Sequence, residues 1–234
     1  MSGYTSLKPR TALVLALTAA AVAGFAVASP AFSQTPFSLT GSETPTQISG
    51  YAGTPFTLGG SDNGHAIYGV RSLERRDNPC YISALIEDIN YSADHSGDPK
   101  DLCGSDPTSS EIKVQFGTNF ADRTFVSALR VCLNNDGTRI KGFQIRGRRI
   151  DANGGVSDLP ARYPDSSDSS GLTPQVDLNA PQDERANCDI NGVWKRWVEC
   201  PEGQIATAIV AHYEAGDTPR SVTGIGLKCR AVSG

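Results

Sequence analysis

From Gly64 onward, short apolar stretches recur between turn residues, and they alternate with small or polar positions rather than repeating every third or fourth residue. That pattern predicts β-strands. No segment keeps an apolar i, i+3, i+4, i+7 spacing for three turns. The best helical stretch, residues 83–89, lies among β-type neighbours and is read with them. Ahead of this region, residues 34–60 are rich in Thr, Ser, Pro and Gly, with Glu43 as their only charge. They are either a flexible leader or irregular edge strands. Residues 161–182, which contain Tyr163-Pro164-Asp165-Ser166-Ser167-Asp168-Ser169-Ser170-Gly171, are expected as a long loop. Strand signals and cysteines resume after them, so they do not divide two domains.

The apolar stretches repeat. Gly64-His65-Ala66-Ile67-Tyr68-Gly69-Val70 is echoed by Gly137-Thr138-Arg139-Ile140-Lys141-Gly142-Phe143, and again by Gly203-Gln204-Ile205-Ala206-Thr207-Ala208. A second element also occurs three times: Ile82-Ser83-Ala84-Leu85-Ile86, Val126-Ser127-Ala128-Leu129-Arg130-Val131-Cys132 and Val222-Thr223-Gly224-Ile225-Gly226-Leu227-Lys228-Cys229. The repetition implies three similar units, each too small to bury its apolar face alone. Three sheets facing one axis would bury all three faces together. A β-sandwich is the competing architecture. Residues 61–234 are taken as one domain.

Composition adds the compartment. Lys8 and Arg10, an uncharged run over residues 11–27, and small residues at Ala31 and Ser33 describe a secretory signal peptide over residues 1–33. The run is short for a membrane span and ends near Pro30. Its removal would leave no transmembrane anchor, and 19 basic against 25 acidic residues. This excludes a nucleic-acid surface built on bulk positive charge. All six cysteines (Cys80, Cys103, Cys132, Cys188, Cys200, Cys229) follow the leader, and an even count in an exported chain reads as disulfides. No paired C-x2-C spacing suggests zinc. Two separations of 29 residues favour Cys103–Cys132 and Cys200–Cys229, leaving Cys80–Cys188.

Trp194-Lys195-Arg196-Trp197-Val198-Glu199-Cys200-Pro201-Glu202-Gly203, followed by residues 222–229, resembles the vitelline membrane outer layer protein I family. That family shows W-x-x-W-x-x-C-P-x-G and then L-x-G-I-x-L-x-C, and the match covers residues 193–230. The resemblance implies a β-prism, with three Greek-key sheets about a pseudo-threefold axis tied by disulfides. It also implies an extracellular-coat or glycan-binding role. Oligosaccharide transfer is credited to members of the family, which keeps a glycan-active transferase or hydrolase as the alternative.

Catalytic signals are sparse. The chain has no G-x-S-x-G elbow, no H-E-x-x-H and no P-loop, and no cofactor is implied. His65 carries no motif, and His95 stands in an acidic turn, residues 94–101, read as a solvated loop rather than a calcium site. Asp165 and Asp168 are read the same way. The basic run Arg146-Gly147-Arg148-Arg149 is read as a solvated strand edge, with an anionic polysaccharide as the functional alternative. Trp194 and Trp197, three apart, should face opposite sides of a strand unless a bulge intervenes. An exposed indole suits a sugar, because its flat apolar face matches the C–H face of a pyranose. Trp194, Trp197, His212 and Tyr213 are therefore the expected ligand site, in the C-terminal unit alone. The expected function is secreted, non-enzymatic glycan binding or an extracellular structural role, with a carbohydrate or cell-envelope glycan as partner. A secreted toxin or inhibitor stands below these.

Overall fold

Alternating apolar and small polar residues form strands throughout the residues that the structure, a computed structural model, describes: 36–60, 64–75, 78–90, 96–104, 110–116, 124–151, 153–158, 188, 192–216 and 220–234. In chain order they are β1 (Ser38–Pro45), β2 (Ser49–Gly50), β3 (Thr54–Gly59), β4 (His65–Arg75), β5 (Asn78–Asp88), β6 (Ser96–Asp101) and β7 (Ser110–Gln115). There follow β8 (Thr124–Leu133), β9 (Ile140–Ile150), β10 (Val156–Asp158), β11 (Val193–Trp194), β12 (Val198–Glu199), β13 (Gln204–Tyr213) and β14 (Val222–Ser233). The signal peptide expected over residues 1–33 and the long loop expected over residues 161–182 lie outside the described residues. No described segment is a helix long and apolar enough to cross a membrane.

These strands build three sheets, each around one long hairpin. The first runs β6-β5-β4-β7, and the second runs β10-β9-β8-β11 with β12 also on β8. In both, three consecutive strands are followed by a fourth that returns beside the first, which is a Greek key. The third runs β1-β14-β13-β3 with β2 also on β14. Here the N-terminal strands complete a sheet begun by the C-terminal hairpin. The fold is a β-prism of three Greek-key sheets, not a sandwich.

The pseudo-threefold relation is written in the bulges. The first strand of each hairpin carries one extra residue, at Tyr68, Ser127 and Thr207. The second strand carries another, at Cys80, Lys141 and Thr223. Aligning on these bulges makes Val70, Leu129 and Ile209 equivalent, and likewise Ile82, Phe143 and Ile225. All six lie in one core cluster fed by the three sheets. Burying such a side chain is worth about 1.5–3 kcal/mol, and no single sheet has enough partners to do it. A second cluster, with equivalent Ala66, Phe125 and Ile205, joins Phe37 and Leu39 from the N-terminal stretch.

The bulges also correct the internal alignment of the repeat. Ile67 and Ile205 lie on first strands, but Ile140 lies on the second strand of its hairpin. The second element is exchanged in the same way, with residues 82–86 and 222–229 on second strands and 126–132 on a first. Both strands of a hairpin present the same inward alternation, so the apolar pattern does not distinguish them. The three-unit count is unaffected.

Two of the three disulfides differ from expectation. Cys200 pairs with Cys229, tying the second sheet to the third. Cys103, however, pairs with Cys80, and Cys132 with Cys188. Tyr81 lies opposite Asp101, and Leu102 N–H donates to the Cys80 carbonyl. That brings the Cα atoms of Cys80 and Cys103 within 4.8 Å. Cys132 belongs to another sheet, opposite Trp194. Both separations of 29 residues span two sheets, but only Cys200 and Cys229 are brought together, so the shared spacing is a coincidence.

Candidate functional site

The stretch from Gly192 to Cys200 forms the edge of the second sheet in two pieces. Val193 and Trp194 pair with Leu133 and Cys132, whereas Val198 and Glu199 pair with Leu129 and Ala128. The register advances by one residue between them, which is a bulge. Lys195 N–H donates to the Val131 carbonyl at 2.8 Å inside it. This extra residue puts Trp194 and Trp197 on the same outward face, beside Arg130, while Val198 points into the core. The intervening bulge is the condition under which residues three apart share a side.

On that face the two indoles and two arginines alternate. The Arg130 guanidinium carbon lies 5.0 Å from the Trp194 ring centroid and 4.9 Å from that of Trp197. Arg146, from β9, lies 4.2 Å from Trp197. Such contacts contribute about 0.5–1 kcal/mol each at exposed sites and more when desolvated. Arg130 Nε donates to Gln144 Oε1 at 2.6 Å, and the Gln144 amide nitrogen below it is buried without a hydrogen-bond partner. Both tryptophans are half-buried. On the far flank, Lys195 Nζ sits 4.9 Å from the Tyr51 ring. Tyr51 at 51% and Val193 at 52% are the exposed large apolar side chains among the described residues; Val193 precedes Trp194 in the chain, and Tyr51 meets Lys195.

The strip is braced from behind. The Cys132–Cys188 bond crosses its end, and a Cβ on Gly192 would meet both sulfurs at 2.7 Å, so the chain passes there only as glycine. Arg148 is buried beneath the following turn. Its Nη1 donates to the carbonyls of Cys200 (3.2 Å), Pro201 and Gln204 (2.8 Å), and its Nε to Asp158 at 2.7 Å. The turn closes on Gly203, whose φ of 72° favours glycine.

The other two expected ligand residues lie elsewhere. His212 and Tyr213 belong to β13 in the third sheet, and both are buried. Gly53 N–H donates to His212 Nδ1 at 3.3 Å. Tyr213 stands edge-on to Phe56 and its hydroxyl donates to the Lys100 carbonyl at 3.0 Å. Burial, and then the Asp101 carboxylate, push its pKa well above the usual tyrosine range. Neither residue shares a sheet with the tryptophans.

The basic run is a strand edge only in part: β10 pairs with Arg148 and Arg149, whereas Arg146 and Gly147 are paired by β8 alone. Arg146 faces outward on Trp197, Arg148 is the buried brace and Arg149 is exposed. The expected acidic turn is instead strand β6 from Ser96 on, paired with β5, where Asp98 Oδ2 accepts the Gly59 N–H at 2.6 Å and Asp101 Oδ1 accepts that of Cys103 at 2.8 Å. Asp94, His95, Asp165 and Asp168 lie outside the described residues, among which no His, Cys, Asp and Glu group is arranged to hold a metal. His65 is half-buried at the start of β4. Sequence reasoning missed Arg130, Gln144 and Tyr51. Arg130 had a signal, being the one charge inside an otherwise apolar central strand.

No protein-family model and no curated protein matches the chain. Among solved structures it is similar to Calystegia sepium agglutinin, with a TM-score of 0.46 and 10% identity over 82% of this chain and 99% of that one. It is also similar to Calsepa lectin in complex with a biantennary N-glycan (TM-score 0.45, 12% identity, 82% and 99% covered). The Calsepa complex with a bisected glycan gives 0.42 and 12%, with 80% and 97% covered. Identities this low say nothing of which residues touch a ligand.

Proposed function

We propose that this is an exported, non-enzymatic glycan-binding or extracellular structural protein, with its ligand on the outer face of the second sheet at Trp194 and Trp197. One observation carries the reading. The bulge sets both indoles on one outward face, beside Arg130 and Arg146. An indole edge or face left open to solvent suits the C–H face of a sugar, at about 1 kcal/mol per ring. Retention at a glycan-rich surface would then come from repeated weak contacts. Export is supported by the three disulfides, which persist in oxidising compartments. Loss of residues 1–33 belongs to the same proposal. So does the likeness to the vitelline membrane outer layer protein I family, whose W-x-x-W-x-x-C-P-x-G stretch is the segment that builds the strip. No observation favours the enzyme reading, since Glu74 is ion-paired with Lys141 at 2.8 Å and Asp158 with Arg148.

The test is glycan retention by the wild type and by Trp197→Ala. Retention should fall about fivefold, the equivalent of about 1 kcal/mol, with a stability loss of similar size, as for an aromatic resting on a surface. A loss of about 3 kcal/mol or more would mark the ring as core and overturn the site. If the wild type retains no glycan, a purely structural coat role replaces binding.

A further inference from the structure

The equivalent outer faces of the three sheets treat their cations differently. On the first, Arg71, the counterpart of Arg130, pairs with Glu111 at 2.6 Å. On the third, Lys228, the counterpart of Arg146, pairs with Glu43 at 3.1 Å. On the second sheet, Arg146 and Lys195 form no ion pair among the described residues. Aromatic rings hold them instead, Trp197 at 4.2 Å and Tyr51 at 4.9 Å. The chain as a whole is acidic, at −4. The carboxylate beside them, Glu199, lies 3.8 Å from Arg148 instead, so Arg146 and Lys195 stay without an ion-pair partner among the described residues of a chain that is acidic overall.

We infer, resting on the glycan-binding reading above, that the strip selects an acidic glycan, one bearing carboxylate or sulfate groups. Contact with the Trp197 ring at 4.2 Å holds the Arg146 guanidinium on this face, and its fork of N–H donors matches a planar or tetrahedral oxyanion. Lys195 supplies a second cation at the far end of the strip. The buried Gln144 amide nitrogen is a further unspent donor at its foot. A neutral sugar would use the rings and leave these donors idle. A sugar whose ring lies on an indole and whose acidic substituent meets Arg146 uses both.

The experiment measures retention of the oxidised full-length protein by immobilised polygalacturonate, dextran sulfate, neutral dextran and a DNA duplex. The expected result is retention by one or both acidic polysaccharides, little by dextran or DNA, and release at about 1 M salt, where screening reaches about 3 Å. Arg146→Gln should weaken retention about tenfold while lowering the thermal transition by no more than about 2–4 °C, the cost of one surface cation–π contact. Arg146→Lys should recover part of it, since the charge returns without the fork. If Arg146→Gln fails to fold, the salt response of Arg146→Lys decides: release by salt supports the inference, and indifference to salt overturns it. Equal retention by dextran overturns the acidic preference but leaves the glycan reading intact. Equal retention by DNA marks a generic polyanion surface and also overturns it. Retention by no polysaccharide ends both readings.

Discussion

The outer faces of the first and second sheets share a register and little else. Aligned on their bulges, Arg71 of β4 and Arg130 of β8 occupy the same place. Beside Arg71, β7 supplies Glu111 and Lys113, giving an ordinary exposed ion pair with Tyr81 5.9 Å away. Beside Arg130, the bulged edge of β11 and β12 supplies two tryptophans. The backbone frame therefore does not decide what a face can bind. A short edge segment does, and the second sheet uses more apparatus to hold its segment: a disulfide, a buried arginine and a glycine passage.

The buried arginine offers the sharpest way to break that difference. Arg148 is equivalent to Arg230 of the third sheet, whose Nε and Nη2 donate to the carbonyls of Gly41 and Leu39 and hold β1 in place. Arg148 does the same job for the turn after β12, but buried and with an aspartate added. Arg148→Ala strands buried carbonyls and should cost about 3–5 kcal/mol in chemical denaturation. Arg148→Lys should recover less than half, because one ammonium cannot serve the three carbonyls and the Asp158 carboxylate together. A loss below about 1 kcal/mol for the alanine variant would mean the turn is held by its pairing alone.

How much of this was legible in the sequence follows from the same parts. The inward alternation that makes Val70, Leu129 and Ile209 a core layer is periodic, so the all-β class and the count of three units could be read. Which strand of a hairpin was which could not, because the distinguishing bulges are single insertions without a composition of their own. The tryptophan pair stands out by chemistry alone, and the bulge that its sharing a face requires is present in the edge segment. His212 and Tyr213 were drawn in by sequence proximity, yet the chain leaves the second sheet after Cys200 and carries them into the third. Cysteine spacing failed for a similar reason, since Cys80 and Cys103 meet across β5 and β6 rather than along the chain.

A smaller effect separates the core tyrosine from the site. Tyr213→Phe removes the hydroxyl donated to Lys100 and should cost about 1 kcal/mol at neutral pH, with glycan retention unchanged. Tyr213 and Tyr68 both have folded pKa values raised, first by burial, above the ordinary 10.0. Their contribution to stability is complete below that value. Above it, the unfolded chain loses protons that the folded chain keeps, so stability falls as pH rises. Urea midpoints compared between neutral pH and about pH 11 should drop for the wild type, and drop less for Tyr213→Phe. Reduced glycan retention in this variant would return Tyr213 to the ligand site.

The smallest expected effect bears most directly on the comparison of faces. Arg71 and Glu111 are each well over a third exposed, at 38% and 41%, so water screens their attraction. Removing either should change stability by no more than about 0.5 kcal/mol. Glycan retention should not change at all, whereas Arg130→Ala, at the equivalent place, should reduce it by undoing the contacts that hold both indoles. The pair of variants asks whether binding follows the position or the edge segment laid against it. Were Arg71→Ala to weaken retention as much as Arg130→Ala, the first sheet would carry a second site. Binding would then repeat with the fold, and the bulged segment of residues 192–200 would be one of several solutions rather than the place where the ligand sits.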